Sequence, residues 1–242
     1  MGRQGDHQDD TADVEATPVL FLRYVAAEDK PDVSLMRYDD TIVLLFAKAP
    51  VAGQVNTRLI PDIGEQAATQ LQHDLIHDRL DMLTASALCH VRLMCAPDEQ
   101  HECFRSCKQS YPIELSVQQG EDLGARMFNA ATKALHDHRY CIIIGTDAPA
   151  LDAEMIAQAI EGLRCGKQAV FIPAEDGGYV LAGLSKPREE LFRDISWGSA
   201  QVMQQTRRCL EEHAIPFLEL ESCWDIDVIE DYRRYLQQIS QG

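Results

Sequence analysis

The sequence predicts an α/β fold in which helices cover both faces of a mainly parallel sheet. From Thr41 onward, short apolar runs typical of buried strands alternate with amphipathic segments of ten or more residues. This alternation implies βαβ units, and strands that carry continuous apolar runs are typical of a sheet buried on both faces. The apolar share of 45% is ample for such a core.

The first half of the chain supplies four predicted strands and three helices. "TIVLLFA" is the first strand, and a helix is predicted from Glu65 to about Ala87, since one helical face carries Ala68, Leu71, Leu75, Leu80 and Leu83. Then follow strand "HVRLMCA", short helix "DEQHECFRSCKQ", strand "IELSVQ", helix "EDLGARMFNAATKALHDH" and strand "YCIIIGT".

The second half continues the pattern. Asp152 is suited to cap a helix whose apolar stripe is Met155, Ile156, Ala159, Ile160 and Leu163. "QAVFIPA", a tight "EDGG" turn and "YVLAGL" come next, then a helix from about Ser199, the strand "IPFLELE", and a last helix after "DIDV". In sheets of this class, ligands bind beyond the carboxyl ends of the strands.

Composition limits the partners. The 22 lysine and arginine residues against 39 aspartate and glutamate residues give a formal net charge of -17, which argues against nucleic-acid and membrane binding. The eight cysteines include no CxxC pair, and no apolar run is long enough to span a bilayer, so we expect a cytoplasmic protein with reduced thiols. Residues 1–38 are predicted to be a mobile, acidic N-terminal extension and residues 39–242 a single domain, for which a homo-oligomer is left open.

The loop after the first strand, "FAKAPVAGQVNTRL", is a candidate anion-binding loop. Lys48 and Arg58 offer positive charge, and Gly53 lets the backbone turn its N–H groups toward a ligand. Ala49, Pro50 and Asn56 complete the set of candidate binding residues in this loop. The alternative is an ordinary exposed connection, because the spacing matches neither of the common glycine-rich phosphate motifs.

Three further loops carry carboxylates. Asp147 in "IGTDAPAL" follows a buried strand and is suited to hold a divalent cation, or to cap the turn into the next helix. "PAEDGGYVLAGL" presents Asp176 before Gly177 and Gly178, either as a functional turn or as a plain hairpin. Asp225 and Asp227 alternate along one side of an extended piece, which suits a metal or the cap of the last helix.

Two histidine and cysteine patterns are weaker. His73 and His77 lie four residues apart, which suits zinc, but neither an HExxH glutamate nor a third ligand is evident. His101, Cys103 and Cys107 in "HECFRSC" fit an amphipathic helix with buried thiols. We therefore expect both patterns to be structural.

Six motifs in this order resemble the bacterial DUF2064 family: "FAKAPVAGQVNTRL", "QGEDLGARM", "IGTDAPAL", "PAEDGGYVLAGL", "ISW" with "QQT", and "DIDVIED". This family contains GT-A-like proteins labelled arsenosugar-biosynthesis-type glycosyltransferases, related to molybdenum-cofactor and coenzyme F420 guanylyltransferases. The resemblance covers about Ile42 to Tyr235. It implies a GT-A fold, which is a Rossmann-like three-layer sandwich, and a nucleotide-diphospho-sugar transferase.

The resemblance also implies roles for site residues. Lys48 and Arg58 would contact nucleotide phosphates, with Gly53 allowing close approach, and Gly124 and Arg126 would lie beside the nucleoside. The implied metal, Mg²⁺ or Mn²⁺, would be held by the following aspartates: Asp147, with Asp227 or Asp225. Facing the acceptor would be a candidate catalytic base and an aromatic residue: Asp176 and Tyr179.

The chain departs from the family pattern at two positions. Asn56 stands where the family usually has lysine, and Ala148 where it usually has cysteine. Losing the lysine removes one phosphate-directed charge, so either Lys48 and Arg58 suffice or turnover is weakened. If the loop contacts phosphate, Asn56→Lys should tighten nucleotide binding. The favoured function is a metal-dependent glycosyltransferase acting on a nucleotide-activated sugar and a small-molecule acceptor. A guanylyltransferase-like nucleotidyltransferase using a nucleoside triphosphate and a phosphorylated small molecule, or a catalytically weakened nucleotide-binding protein, are the alternatives.

Overall fold

The computed structural model of the protein describes residues 36–240. Residues 1–35, which include nearly all of the predicted N-terminal extension, lie outside the described residues, as do residues 241 and 242. The last residues assigned to the extension belong to the folded domain, because Tyr38 is buried and its backbone N–H donates to the Leu88 carbonyl. None of the described helices has the length and apolar character needed to cross a membrane.

Within residues 36–240, the strands form one seven-stranded sheet with the order β3-β2-β1-β4-β6-β5-β7. The strands are β1 (Thr41–Lys48), β2 (His90–Ala96), β3 (Glu114–Val117), β4 (Tyr140–Ile144), β5 (Ala169–Pro173), β6 (Tyr179–Leu184) and β7 (Phe217–Glu219). β6 is antiparallel to both β4 and β5, and the other neighbours are parallel. The predicted mainly parallel sheet is thus confirmed.

Helices cover both faces of the sheet, as predicted. They are α1 (Ile60–Ala85), α2 (Glu102–Ser110), α3 (Leu123–Asp137), α4 (Ala153–Arg164), α5 (Val202–Glu212) and α6 (Ile229–Ile239). Buried residues of α1, α2 and α4 share one core cluster with the sheet, and those of α3 and α5 share the cluster on the other face. The α6 residue Tyr235 joins a smaller cluster with Leu71, Leu75 and Trp224.

The first helix begins earlier than the apolar stripe predicted. α1 starts at Ile60 with proline next to its first residue, and it is interrupted at Gly64, whose φ of 80° and ψ of 160° are not helical. The predicted stripe lies after this break, and all five of its residues are buried. A proline is tolerated in a first helical turn, where its missing N–H has no partner in any case.

The strand directions bring six loops to one edge of the sheet. β1 to β5 and β7 point the same way, because β5 and β4 are each antiparallel to β6. The segments after β1, β4, β5 and β7 therefore lie at the edge where ligands bind in open α/β sheets. These are the four loops whose polar residues the sequence singled out.

Candidate functional site

The conformation of the loop after β1 is fixed by two buried side chains and by one residue with a left-handed backbone conformation. Val55 and Leu59 are buried, whereas Lys48 and Arg58 are exposed. Asn56 has a φ of 47°, and its side-chain amide donates to the Ala68 carbonyl of α1 at 2.9 Å. Asparagine tolerates this left-handed conformation better than most other residues. Asn56 therefore fastens the loop to α1, and the ligand contact expected for it stays a prediction.

The other candidates in this loop have distinct surroundings. Gly53 is exposed with a φ of 76°, a conformation that favours glycine. Ala49 is buried and its backbone N–H donates to the Ala96 carbonyl, so its side chain belongs to the core. Pro50 is half-buried beside it. The charges of the loop are thus presented by Lys48 and Arg58.

Arg58 forms an ion pair with Asp227, which lies after β7. The Arg58 side chain is 61% exposed and the Asp227 side chain 36% exposed, so solvent screens the pair. The contact joins the predicted phosphate-binding loop to a predicted metal ligand. It also means that a cation at Asp227 would compete with Arg58.

The loop after β4 carries Asp147. Asp147 is exposed at this edge of the sheet. It does not cap the next helix, because Asp152 accepts from the Met155 N–H at 2.8 Å and occupies the N-cap of α4. The predicted cap at Asp152 is confirmed, so Asp147 is not the residue that caps α4.

Two buried polar residues of α1 hold this edge together. Gln72 donates to the Lys48 carbonyl at 3.1 Å and lies 3.4 Å from the Thr146 hydroxyl, so it connects the loops after β1 and β4. Arg79 is 7% exposed and donates to three carbonyls of the Asp147 loop, those of Ala148, Pro149 and Leu151, at 3.1, 3.2 and 2.5 Å.

The sequence interpretation missed Gln72 and Arg79. The available signal was their position, since Arg79 lies three residues after Ile76 and four before Leu83, on the buried face of α1. A charged residue on such a face needs partners, and here the partners are backbone carbonyls.

The segment between β5 and β6 is a hairpin that also contributes to the site. Asp176 accepts the Gly178 N–H at 2.8 Å, which closes the turn. Gly177 has a φ of 94°, and a Cβ at this position would lie 2.3 Å from the Ala200 carbonyl oxygen. The segment is thus a hairpin, and the Asp176 carboxyl is exposed at the edge of the sheet, so its functional role stays a prediction.

Tyr179 lies at the start of β6 and is part of the core. Its ring packs 5.2 Å from that of Phe171 and 6.2 Å, edge to face, from that of Trp197. Its hydroxyl is buried and has no hydrogen-bond partner among the described residues. The contact with an acceptor predicted for Tyr179 thus stays a prediction without support from these contacts.

The segment after β7 runs beside the Asp147 loop. The Ile226 N–H donates to the Asp147 carbonyl at 2.8 Å, which places Asp225 and Asp227 next to that loop. Neither aspartate caps α6, because the Asp231 carboxylate accepts the Asp227 and Val228 N–H groups. The capping alternative is wrong here as well, and both side chains are half-buried.

Two of the clustered aspartates, Asp147 and Asp225, have raised pKa values. Burial and the nearby charges of Asp147 and Asp176 raise the pKa of Asp225 to about 7. Burial raises the pKa of Asp147 too, and Asp176 and Asp227 add to this while Lys48 opposes it. Like charges held together disfavour ionisation unless a cation neutralises them. The edge is therefore an acidic cluster that Lys48 and Arg58 compensate only in part.

The residues predicted to lie beside a nucleoside contact the protein itself. Gly124 is buried at the start of α3, where a Cβ would lie 2.3 Å from the Phe192 carbonyl oxygen and 2.6 Å from the Trp197 indole nitrogen. The Arg126 guanidinium donates to the Gly120 carbonyl at 3.2 Å. Close packing of the backbone accounts for Gly124, and the nucleoside contact stays a prediction.

Comparison with known proteins identifies the family. Residues 79–199, half of the chain, match the family described as "Uncharacterized protein conserved in bacteria (DUF2064)". The comparison with curated proteins gives no match. A solved structure of a candidate nucleotide-diphospho-sugar transferase from Desulfovibrio desulfuricans is 30% identical, with a TM-score of 0.72 over 78% of this chain and 83% of that chain.

More distant structures share the fold. CMP:2-keto-3-deoxy-manno-octonic acid synthetase, solved with CTP, is 10% identical, with a TM-score of 0.53 over 83% of this chain and 98% of that one. 4-Diphosphocytidyl-2C-methyl-D-erythritol synthase from Anaerococcus prevotii is 13% identical, also at 0.53, over 82% and 100%. At these identities the likeness concerns the fold alone. The chain belongs to the DUF2064 family and has the fold of nucleotide-diphospho-sugar transferases.

Proposed function

We propose that the protein is a metal-dependent transferase that uses a nucleotide-activated sugar as donor and a small molecule as acceptor. The observation that carries this proposal is the acidic cluster of Asp147, Asp176, Asp225 and Asp227 beside Lys48 and Arg58. The carboxylates of the cluster repel one another, which suits a divalent metal, and the side chains of Lys48 and Arg58 beside them suit a phosphate group.

The cluster offers the ligand type that suits a hard divalent cation. Carboxylate oxygens are preferred by Mg²⁺ and Mn²⁺. Asp147, Asp225 and Asp227 would hold the ion. The pKa of Asp225 is raised by burial and then by the charges of Asp147 and Asp176, and a bound cation would oppose both effects. When bound, such an ion stabilises the negative charge that develops on a departing phosphate.

The loop after β1 is the proposed phosphate-binding element. Lys48 and Arg58 are both exposed at the same edge as the aspartates. Because a cation at Asp227 would displace the Arg58 guanidinium, metal binding would release Arg58 for a phosphate oxygen. Arg58 would then contact the donor only when the metal is present.

The proposed transfer needs one proton acceptor. The acceptor hydroxyl oxygen forms a bond to the anomeric carbon, the bond from that carbon to the phosphate oxygen breaks, and the nucleoside diphosphate leaves as an anion. Asp176 would take the hydroxyl proton. One of its oxygens already accepts from the Gly178 N–H, which leaves the other for the acceptor.

Transfer of a nucleotidyl group is the second candidate. The fold likeness to cytidylyltransferases is compatible with it, but that likeness concerns the fold alone. The contact of Asn56 with α1 favours sugar transfer, since it leaves the loop without a third cation for a triphosphate. The 30% identical candidate nucleotide-diphospho-sugar transferase supports the same choice.

A screen of thermal stability tests the proposal. UDP-, GDP- and ADP-sugars, CTP and GTP are added with Mn²⁺, with Mg²⁺ or with a chelator. A donor at a hundredfold excess over its dissociation constant should stabilise the fold by about 3 kcal/mol, and only with metal. Stabilisation by a triphosphate with release of pyrophosphate would support nucleotidyl transfer instead. Stabilisation by nucleotide without turnover would support the weakened binding protein, and no stabilisation by any nucleotide would refute all three readings.

A further inference from the structure

Helices α1 and α2 place two pairs of metal-binding side chains opposite each other. His73 and His77 lie four residues apart on α1, and Cys103 and Cys107 lie four residues apart on α2. Residues at this spacing share one face of a helix. The sequence alone shows no third ligand for the histidines, whereas the structure brings the two thiols close to them.

The donor atoms of this group converge. One ligand atom each from His73, His77 and Cys103 lie within 4.8 Å of one another. The Cys107 sulfur lies 4.0 Å from Nε2 of His77. Both thiols are buried, Cys103 at 6% exposure and Cys107 at 0%. Two nitrogens and two sulfurs form the donor set of Cys₂His₂ zinc sites.

His77 is oriented so that its Nε2 can act as a ligand. Its Nδ1 lies 3.1 Å from the Tyr111 hydroxyl, which donates to the Asp81 carboxylate at 2.9 Å. With the hydroxyl proton directed to Asp81, the hydroxyl oxygen can accept from Nδ1. In that tautomer the Nε2 lone pair of His77 faces the thiols, and the Cys107 sulfur lies 4.0 Å from it. Metal-binding histidines are commonly fixed by such an outer hydrogen bond.

A route from solvent reaches the group. A cleft of about 600 Å³ is lined by His73 and Cys103 together with His101 and Glu102 at the start of α2. Pro50 of the loop after β1 lies on its wall. An ion can thus reach the donors without unfolding of the domain.

We propose that His73, His77, Cys103 and Cys107 bind a zinc-class cation that fastens α2 to α1. A tetrahedral zinc ion with bonds of about 2.0 to 2.3 Å needs donors about 3.3 to 3.8 Å apart, so the side chains must close by about 1 Å. Sulfur and imidazole donors select zinc over Mg²⁺ and Mn²⁺, which the carboxylates of the acidic cluster prefer. This site is separate from the proposed catalytic metal.

Cobalt reports directly on this donor set. The reduced full chain, stripped with a chelator, is titrated with Co²⁺ and then with Zn²⁺ as competitor. We expect one ion per chain, the visible bands of tetrahedral cobalt, a thiolate-to-metal charge-transfer band, and displacement by Zn²⁺. Tyr111→Phe should weaken binding about 10- to 100-fold through the loss of His77 orientation.

Matched variants separate the site from other thiols. Cys103→Ser should abolish the charge-transfer band or sharply weaken binding, whereas Cys165→Ser, which removes an exposed cysteine just after α4, should leave both unchanged. His73→Gln changes a half-exposed side chain and tests the site even if the buried Cys103 variant fails to fold. Cobalt binding without a thiolate band, no binding after reduction, or equal binding by His73→Gln would overturn the proposal.

Discussion

Replacing Asp225 with asparagine tests whether repulsion between the carboxylates of the acidic cluster destabilises the folded protein. The pKa of Asp225 is raised to about 7 from an ordinary value of 3.8, first by burial and then by Asp147 and Asp176. Above pH 7 the folded protein must hold this carboxylate ionised beside other carboxylates. Asparagine keeps the shape of the side chain and removes the charge.

The sign of the effect follows from proton binding. Between about pH 4 and pH 7 the folded state keeps the Asp225 proton that the unfolded state has lost, so the stability of the wild-type protein falls as pH rises through this window. The full difference in pKa corresponds to an upper limit of about 4 kcal/mol. Because Asp225 is only partly buried, solvent screening reduces the expected effect to about 1 to 2 kcal/mol.

Thermal or urea unfolding of the metal-free protein at pH 5 and pH 8 measures this. Asp225→Asn should be more stable than wild type at pH 8, with a midpoint about 2 to 8 °C higher, and the gain should shrink toward pH 5. Asp39→Asn is the control, since Asp39 is exposed before β1 at the opposite edge of the sheet. A variant less stable than wild type at pH 8, or a gain equal at both pH values, would refute the reasoning.

Three other substitutions test the framework of the site by denaturant unfolding. Asn56→Lys should lower the free energy of unfolding by about 1 to 2 kcal/mol, because it removes a hydrogen bond and replaces a residue that tolerates the left-handed conformation. Nucleotide titration should show no tighter binding. Tighter binding would support the role predicted from the sequence. Arg79→Met should lower the free energy of unfolding by about 3 kcal/mol, because three carbonyls lose their hydrogen-bond donor. The control Arg233→Met, at an exposed position, should lower it by less than about 0.5 kcal/mol. Equal losses would contradict the role of Arg79. Gly177→Ala should cost more than Gly166→Ala, since both have positive φ but only Gly177 faces a close carbonyl; a smaller cost would argue against that contact.

The fold could be predicted from local patterns because strands and helices bury residues at different periods. The continuous apolar run in "YCIIIG" indicated a buried strand, and the apolar stripe of α4 indicated a helix. The start of α1 could not be placed this way, since residues 60–64 precede the apolar stripe and are set by a proline and the break at Gly64. Local sequence pattern is weakest at such boundaries.

The sequence indicated which polar residues share one edge of the sheet, and it missed contacts between residues that are distant in sequence. The shared edge of parallel strands was enough to bring Asp147, Asp176 and Asp227 together. The direction of the Asn56 side chain depends on a carbonyl twelve residues away, and the meeting of His77 with Cys107 depends on how α2 packs on α1. Neither contact has a period or spacing that a single sequence could reveal.

Binding of Mn²⁺ to the full chain tests the central claim, that the acidic cluster holds a divalent metal. The free ion is followed by electron paramagnetic resonance during titration of the wild type, Asp147→Asn, Asp39→Asn and Cys103→Ser. We expect one Mn²⁺ site that is lost in Asp147→Asn and kept in the other two variants. Equal binding by Asp147→Asn, or a site lost only in Cys103→Ser, would contradict the account.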